Sequence, residues 1–398
     1  MINPSRRIAS YQYAIRNIVA AAEVLERAGR KVTYLNIGDP QVFGFHPPPH
    51  VVEPVQRALR DRFTGYAHSK GLFEARKAIA NYATEVQAPT GPEDVIVTSG
   101  ASEAADLVLT ALLNEGDEVL LPAPGYPLYA AILGKLGATA TYYALEETNN
   151  WQPTVAQISS LINARTKAIV LINPNNPTGA VIPDKTTREI LKLANEHHLL
   201  VIADEVYREL CFTKSPTSAS VFAESMGMPL ITLESLSKTH LIPGWRVGWM
   251  RFTNAKNMTE LIRAINQLAS GRLCSPTPTQ YAIKPALEGD RTCITEFLDQ
   301  IRSRRDCAVG QIQAIEGLSC TTPEAAFYLM VKVHDLENRT DEQFVLDMLD
   351  ATAVLVVHGS GFGCAPWEGY FRMVYLANEE ALKSASDKIK EFVSTRRR

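Results

Sequence analysis

Apolar positions along the chain change rhythm three times. In the first thirty residues Ile15, Ile18, Val19, Ala22, Leu25 and Ala28 fall on one helical stripe, which Gly29 ends. "VTYLNIGDP" reads as a short strand breaking at Gly38-Asp39-Pro40. The prolines of "FGFHPPPH" rule out regular structure there and mark a crossing segment. An amphipathic helix follows from Leu72 to about Glu85. From "DVIVTSG" onward, short β-rich apolar runs alternate with helices: "VIVTSGASEAADLVLTALL", "EVLLPAPGYPLY", "TKAIVLINPNNPTG", "LLVIADEVYREL" and "PLITLESLSK". Past about Ala282 the pattern becomes a helix ("EFLDQIRSRRDCAVGQIQAI"), short strands ("AAFYLMVKV", "AVLVVHG", "GYFRMVYL") and a last helix from Glu379 to about Thr395.

Continuous apolar strands spaced by helices predict an α/β protein with a mostly parallel central sheet buried on both faces. The expected division is an N-terminal segment over 1–45, a large domain over 46–282 and a smaller α+β domain over 283–398. In such sheets ligands gather at the carboxyl ends of the strands, and every unusual motif of this chain lies at one.

Composition narrows the picture. At 398 residues the chain exceeds one ordinary core, so two domains are expected. A formal net charge of −3 advertises neither nucleic acid nor anionic membrane, and the closing "STRRR" reads as a solvated terminus. No apolar run approaches a membrane span, and the N-terminus lacks the apolar core of a secretory signal. Six scattered cysteines without a C-x-x-C pair argue against a zinc site or a disulfide framework and suit a reducing cytoplasm. His197-His198 and the pair His46/His50 lack metal-ligand company, so no metal is expected. "GSGFG" at Gly359 to Gly363 fails as a dinucleotide fingerprint because Cys364-Ala365-Pro366-Trp367 follows where a helix should begin; His358 before it reads as structural.

The strand ends carry the chemistry. Gly100-Ala101-Ser102 stands between strand and helix, where small residues let a phosphate approach free N–H groups; the blander reading makes Ser102 a plain N-cap. Two Asn-Pro steps in "LINPNNPTGA" hold Asn173 and Asn176 directly after an apolar strand. Asp204 closes the apolar run Leu199 to Ala203 and must be a helix N-cap or the partner of a buried cation, with Tyr207 three residues on. "ESLSKTHLIPGWRVGW" sets Lys238 between Ser235, Ser237 and Thr239, with Arg246 among Trp245, Val247 and Trp249. A lysine so placed forms a salt bridge or a covalent bond to a carbonyl. With an aldehyde on a phosphorylated ring as that carbonyl, the two serines, Arg246 and the Gly100 turn suit the phosphate, Asp204 the ring nitrogen, Asn176 and Tyr207 the ring hydroxyl, and Tyr126 the ring face. Pyridoxal 5′-phosphate fits this set.

From about Val32 to about Leu376 the chain resembles the class I/II, fold-type I pyridoxal-phosphate aminotransferases. The matching pieces, in the family's order, are "NIGDP", "GYAHSKG", "SGASEA", "PGYPLY", "NPNNPTG", "ADEVY", "SLSKTHLIPGWRVGW" and "FRMVYL". The resemblance implies Lys238 as Schiff-base lysine, Asp204 as pyridine-nitrogen partner, Asn176 and Tyr207 as donors to the ring oxygen, and Tyr126 as stacking ring. It gives the phosphate to Gly100, Ala101, Ser102, Ser235, Ser237 and Arg246. Arg372 resembles the arginine that clamps the substrate α-carboxylate, assisted by the Gly38 backbone. Tyr66 resembles the tyrosine that reaches the neighbouring subunit's phosphate, which implies a homodimer with shared active sites. The family's usual "GAFY" is "AAFY" here, at Ala325 to Tyr328.

"LNIGDPQVFGF", "YAIRNIVAAAEVLERAG" and "LASGRLCSPTPTQYAI" resemble the bacterial alanine (glutamate–pyruvate) branch. Tyr13 and Arg16 lie in the segment that in relatives folds over the active site. They are expected to close the pocket, Arg16 helping to bind a dicarboxylate such as 2-oxoglutarate, with an ordinary surface charge on a helix as the other reading and Arg272 as a second candidate. The expected reaction moves an amino group between an L-amino acid and a 2-oxo acid. Aspartate or aromatic aminotransfer and C–S β-lyase chemistry are the alternatives within the same frame. A ligand sensor in a transcription regulator would need a DNA-binding module, for which too few residues precede "NIGDP".

Overall fold

The structure, a computed structural model, describes residues 2, 3, 5, 7, 8 and 18–395. The expected N-terminal stripe is a helix over Val19–Arg27, with Ile18 and Ala22 buried on its inner side. After it, β1 (Thr33–Tyr34) is shorter than its apolar neighbours suggested; the Leu35 amide still donates to the Leu355 carbonyl and its carbonyl accepts from the Val374 amide, both at 2.8 Å. The proline segment differs from expectation. It ends in a helix over Pro49–Arg60, with Pro48 at the N-cap and Pro49 in the first turn. A proline costs little there, since a first-turn N–H has no helical partner to lose. Helix Phe73–Glu85 stands where periodicity put it.

The central sheet has seven strands: β2 (Val95–Ser99), β3 (Glu118–Ala123), β4 (Thr139–Ala144), β5 (Thr166–Ile172), β6 (Leu200–Asp204), β7 (Leu230–Ser235) and β8 (Val247–Thr253). Their order is β2-β8-β7-β6-β5-β3-β4, all parallel except β8, which runs against both its neighbours. Alternation explains the continuous apolar runs. On β5, Ala168, Val170 and Ile172 enter one core while Ile169 and Leu171 enter the core on the opposite face.

Register sets the site. Ile172 lies opposite Asp204, Asp204 opposite Leu233, and Ser235 opposite Gly248. Because β8 is antiparallel, its start at Val247 meets the end of β2 at Ser99. Five strand ends therefore converge on one edge.

A second body is built on the four-stranded antiparallel sheet β12-β13-β10-β9, from β9 (Leu318–Ser319), β10 (Tyr328–Val333), β12 (Val357–His358) and β13 (Tyr370–Val374). β11 (Val354–Leu355) pairs instead with β1, in parallel. Helices Thr292–Gln313, Asp341–Thr352 and Glu379–Thr395 share its core with Ile18, Ala22 and Leu35. Among the described residues no helix is long and apolar enough to cross a membrane, and no cluster of side chains could hold a metal ion.

Candidate active site

A cavity of about 540 Å³ opens where the strand ends meet the second body. Its wall brings together Gly38, Ala101, Ser102, Tyr126, Asn176, Asp204, Tyr207, Ser235, Ser237, Lys238, Arg246 and Arg372, residues spread over most of the chain.

Lys238 stands in the single helical turn Leu236–Thr239 that follows β7, with Ser235 as N-cap: the Ser237 amide donates to the Ser235 hydroxyl at 3.3 Å. Its ammonium donates to the Gly38 carbonyl at 2.6 Å. Burial pushes the amine down to about 8; Asp39 opposes that shift, and the Arg372 and Arg246 charges add to it. The turn rests on a buried ion pair. The Glu234 carboxylate accepts from Arg251 Nε at 2.6 Å and from Trp249 Nε1 at 2.9 Å, tying β7 to β8 beneath the lysine.

Asp204, 7% exposed, ends β6 with its carboxylate accepting from the Tyr129 hydroxyl at 2.8 Å and the Val206 amide at 3.3 Å. Burial raises its pKa to about 6 against those two donors, so the carboxylate carries its charge at a cost that a cation in the cavity would offset. It does not cap a helix, since no helix begins at β6's end among the described residues.

The turn from β2 into helix Ala101–Leu112 has Gly100 at the N-cap with φ +78°. A side chain there would run into the Arg246 guanidinium, which donates to the Ser99 carbonyl at 3.1 Å and to the Pro243 carbonyl at 2.9 Å. Gly100 thus shapes the turn from behind while Ala101 and Ser102 face the cavity. Ser102 is not the N-cap, which settles that open alternative: it lies one residue inside the helix. With Arg246, Ser235 and Ser237, this helix start forms a corner of the cavity suited to an anion.

On the opposite wall Arg372 is 1% exposed. It donates to Asn176 Oδ1 at 3.0 Å and to the Asn36 carbonyl, and its guanidinium lies 4.5 Å from the Tyr328 ring centre and 4.6 Å from that of Phe362. Tyr207 and Tyr328 share a hydrogen bond of 2.6 Å between their hydroxyls.

Other expectations fall elsewhere. Arg272 pairs with Glu103 at 3.0 Å and donates to the Val97 carbonyl at 2.9 Å, and it does not line the cavity. Tyr66 is 82% exposed outside the cavity. Tyr13 and Arg16 lie outside the described residues. His358 bonds Ser360 through Nδ1 at 2.7 Å. Sequence reasoning missed Tyr129, Tyr328, Asp39 and the Pro243-Gly244 rim. For Tyr129 a signal existed: in "PGYPLY" the second tyrosine stands three residues beyond Tyr126, just inside the helix Leu128–Leu136.

Comparison with known proteins agrees with this geometry. The family model for aminotransferase class I and II matches residues 30–389. Glutamate-pyruvate aminotransferase AlaA of Haemophilus influenzae is 39% identical over 380 residues, covering 93% of this chain and 92% of that one. The solved alanine aminotransferase from Pyrococcus furiosus superposes with a TM-score of 0.95 at 39% identity, over 99% of this chain and 100% of that one. The aspartate aminotransferase from Rhizobium meliloti superposes at 0.91 with 27% identity, over 98% of each chain. A seven-stranded sheet with lysine and aspartate at its strand ends, matched along nearly its whole length by such enzymes, belongs to the aminotransferase class I and II family.

Proposed function

We propose that the cavity binds pyridoxal 5′-phosphate on Lys238 and that the protein moves an amino group between an L-amino acid and a 2-oxo acid, with alanine and 2-oxoglutarate as the preferred pair. The observation that carries this reading is the pairing of an amine lowered to about 8 with a buried carboxyl in one cavity walled by an anion corner. The donor set fits the group: an amine for the aldehyde, Asp204 for the ring nitrogen, Asn176 and Tyr207 for the ring oxygen, Tyr126 for the ring face. Ala101, Ser102, Ser235, Ser237 and Arg246, in the turn that Gly100 shapes, serve the phosphate. When bound, the cofactor supplies an electron sink for the electrons left by a departing Cα proton.

The chain's own residues do the rest. Lys238 would hold the group, and its nitrogen, when free, would take and return the Cα proton as general base. A pKa near 8 leaves a useful fraction of neutral amine at physiological pH. Asp204 keeps the ring nitrogen protonated, and Tyr129 keeps Asp204 in place. Arg372, already oriented by Asn36 and Asn176, takes the α-carboxylate in a bidentate pair beside the Gly38 backbone. The alanine preference follows the names of the similar enzymes and the N-terminal resemblance. Tyr13 and Arg16 are the residues we assign to closing over the substrate. Tyr66, exposed on one chain, suits a homodimer in which it completes the partner's site. All six cysteines are free, as a reducing cytoplasm would keep them.

Adding the vitamer to cofactor-free protein should give a coloured complex that borohydride fixes on the Lys238 peptide. Half-reactions with a panel of amino acids should then run fastest with alanine and glutamate and release the corresponding 2-oxo acid. A colourless protein, or label on another lysine, overturns the cofactor reading. Pyruvate and ammonia formed without a 2-oxo acid acceptor would make it a lyase.

A further inference from the structure

Tyr328 has no part in the chemistry so far, yet it touches two groups that do. Its hydroxyl lies 2.6 Å from that of Tyr207, its ring face lies 4.5 Å from the Arg372 guanidinium, and it lines the cavity. We propose that Tyr328 is a positioning residue: it donates its hydroxyl hydrogen to Tyr207 and so directs the Tyr207 hydrogen into the cavity. This rests on the cofactor reading above.

The geometry leaves Tyr207 little other freedom. Its ring is met edge-on by Phe327, with centroids 5.7 Å apart, and by Tyr328, at 5.6 Å, both at 77°. With the ring held, only the hydroxyl hydrogen can turn. A phenol has one hydrogen and two lone pairs, so between two phenols the hydrogen bond can run either way. Arg372 breaks the tie. Its charge reaches both phenols, but of the two it is the Tyr328 ring that it stacks on, so electron withdrawal is greater from that phenol and makes it the better donor. Tyr207 then accepts from Tyr328, and its own hydrogen is free to serve an acceptor in the cavity.

Gly38 makes the approach feasible. A Cβ on that residue would collide with the Tyr328 hydroxyl and the Phe327 ring, so the missing side chain is the space in which the second phenol sits. The same glycine receives Lys238 on its carbonyl. Gly38 therefore serves the lysine with its backbone and the tyrosine pair with its emptiness.

The test is a double-substitution cycle on the holoenzyme, read as the apparent pKa of the Lys238-linked chromophore in an absorbance titration. A donor to the ring oxygen competes with the lysine-derived N–H for that oxygen, so losing the donor raises this pKa. Tyr207→Phe should raise it most. Tyr328→Phe, which keeps the ring against Arg372, should raise it by about half a unit to one unit, while KM for the amino acid stays within about twofold. In the Tyr207→Phe background, Tyr328→Phe should change nothing further. An equal shift in both backgrounds, or no shift in the Tyr207 background of the wild type, overturns the proposal while leaving the cofactor reading intact. If the unsubstituted protein forms no Lys238-linked chromophore, both fall together.

Discussion

The two walls of the cavity are held in different ways. On the sheet side, Asp204 and the Lys238 turn end adjacent strands of one ladder, and their spacing follows from register alone. On the opposite side Arg372 reaches 336 residues back to the Asn36 carbonyl and 196 residues back to Asn176. The Asn176 contact crosses to the body that carries Lys238, while the Asn36 contact lies inside the second body, where the neighbouring Leu35 carbonyl accepts from the Val374 amide at 2.8 Å. The first wall is set by register and, in the proposed reaction, would handle the proton and the electrons. The second would grip the substrate, and through Asn176 it depends on how the two bodies fit. Chemistry would then reside on one sheet, and recognition partly between two bodies.

Substitutions can test that separation. The largest effect is expected at Lys238. Lys238→Ala should lower kcat by at least about 10⁴-fold and abolish the lysine-linked absorbance. Amino acid binding, measured by calorimetry, should survive because Arg372 is untouched. Retained absorbance would break the comparison at its first term.

Next is Arg372→Ala, expected to cost about 3 kcal/mol of substrate binding, on the order of a hundredfold in KM, with the lysine-linked absorbance retained. Arg372→Lys should recover little, because a point charge cannot make the paired bonds to a carboxylate. An unchanged KM would move the grip elsewhere.

Asp204→Asn separates stability from activity. The native carboxyl titrates near 6 and the unfolded one near 3.8, so between those values the native state holds the extra proton. Stability contributed by this group therefore falls as pH rises through that window and is lowest above it. In the cofactor-free protein Asn removes the penalty. The variant should be more stable than wild type by about 1–3 kcal/mol at pH 7, with the gap closing toward pH 4, while transamination collapses. Urea unfolding at several pH values checks the sign.

The smallest change is Tyr129→Phe. Losing one hydrogen bond to Asp204 should weaken cofactor binding by about 1 kcal/mol, three- to tenfold in Kd, and leave KM for the amino acid unaltered. An effect on KM alone would mean the two walls are coupled through Tyr129.

The same contrast explains what could be read from residues alone. Asp204 follows an apolar run directly, Asn176 and Lys238 lie within five residues of one, and a polar group near the end of a buried strand has few bland explanations. Arg372 was found only through the resemblance, since "FRMV" reads by itself as an ordinary strand. Tyr328 and the Asn36 carbonyl were missed because their roles arise from contacts far apart in sequence. Tyr129 was missed for a smaller reason: its hydroxyl partner is 75 residues away, although its place three residues beyond Tyr126 was visible. The helix from Pro49 was lost by counting prolines without asking which position in a first turn they would take. The mostly parallel sheet was legible because both faces are buried, while the reversal of β8 left no mark on its composition.

Asn176 spends its amide oxygen on Arg372, so one small side chain belongs to both walls at once. A lineage drifting toward substrates that lack an α-carboxylate would have to abandon a fully sequestered cation and its amide acceptor in a single step, a change no gradual route provides. Diversification should therefore spare this couple and proceed through the cavity's uncharged margin, at Ile37, Leu128, Pro243 and Gly244, where one replacement can reshape the opening without leaving a charge behind.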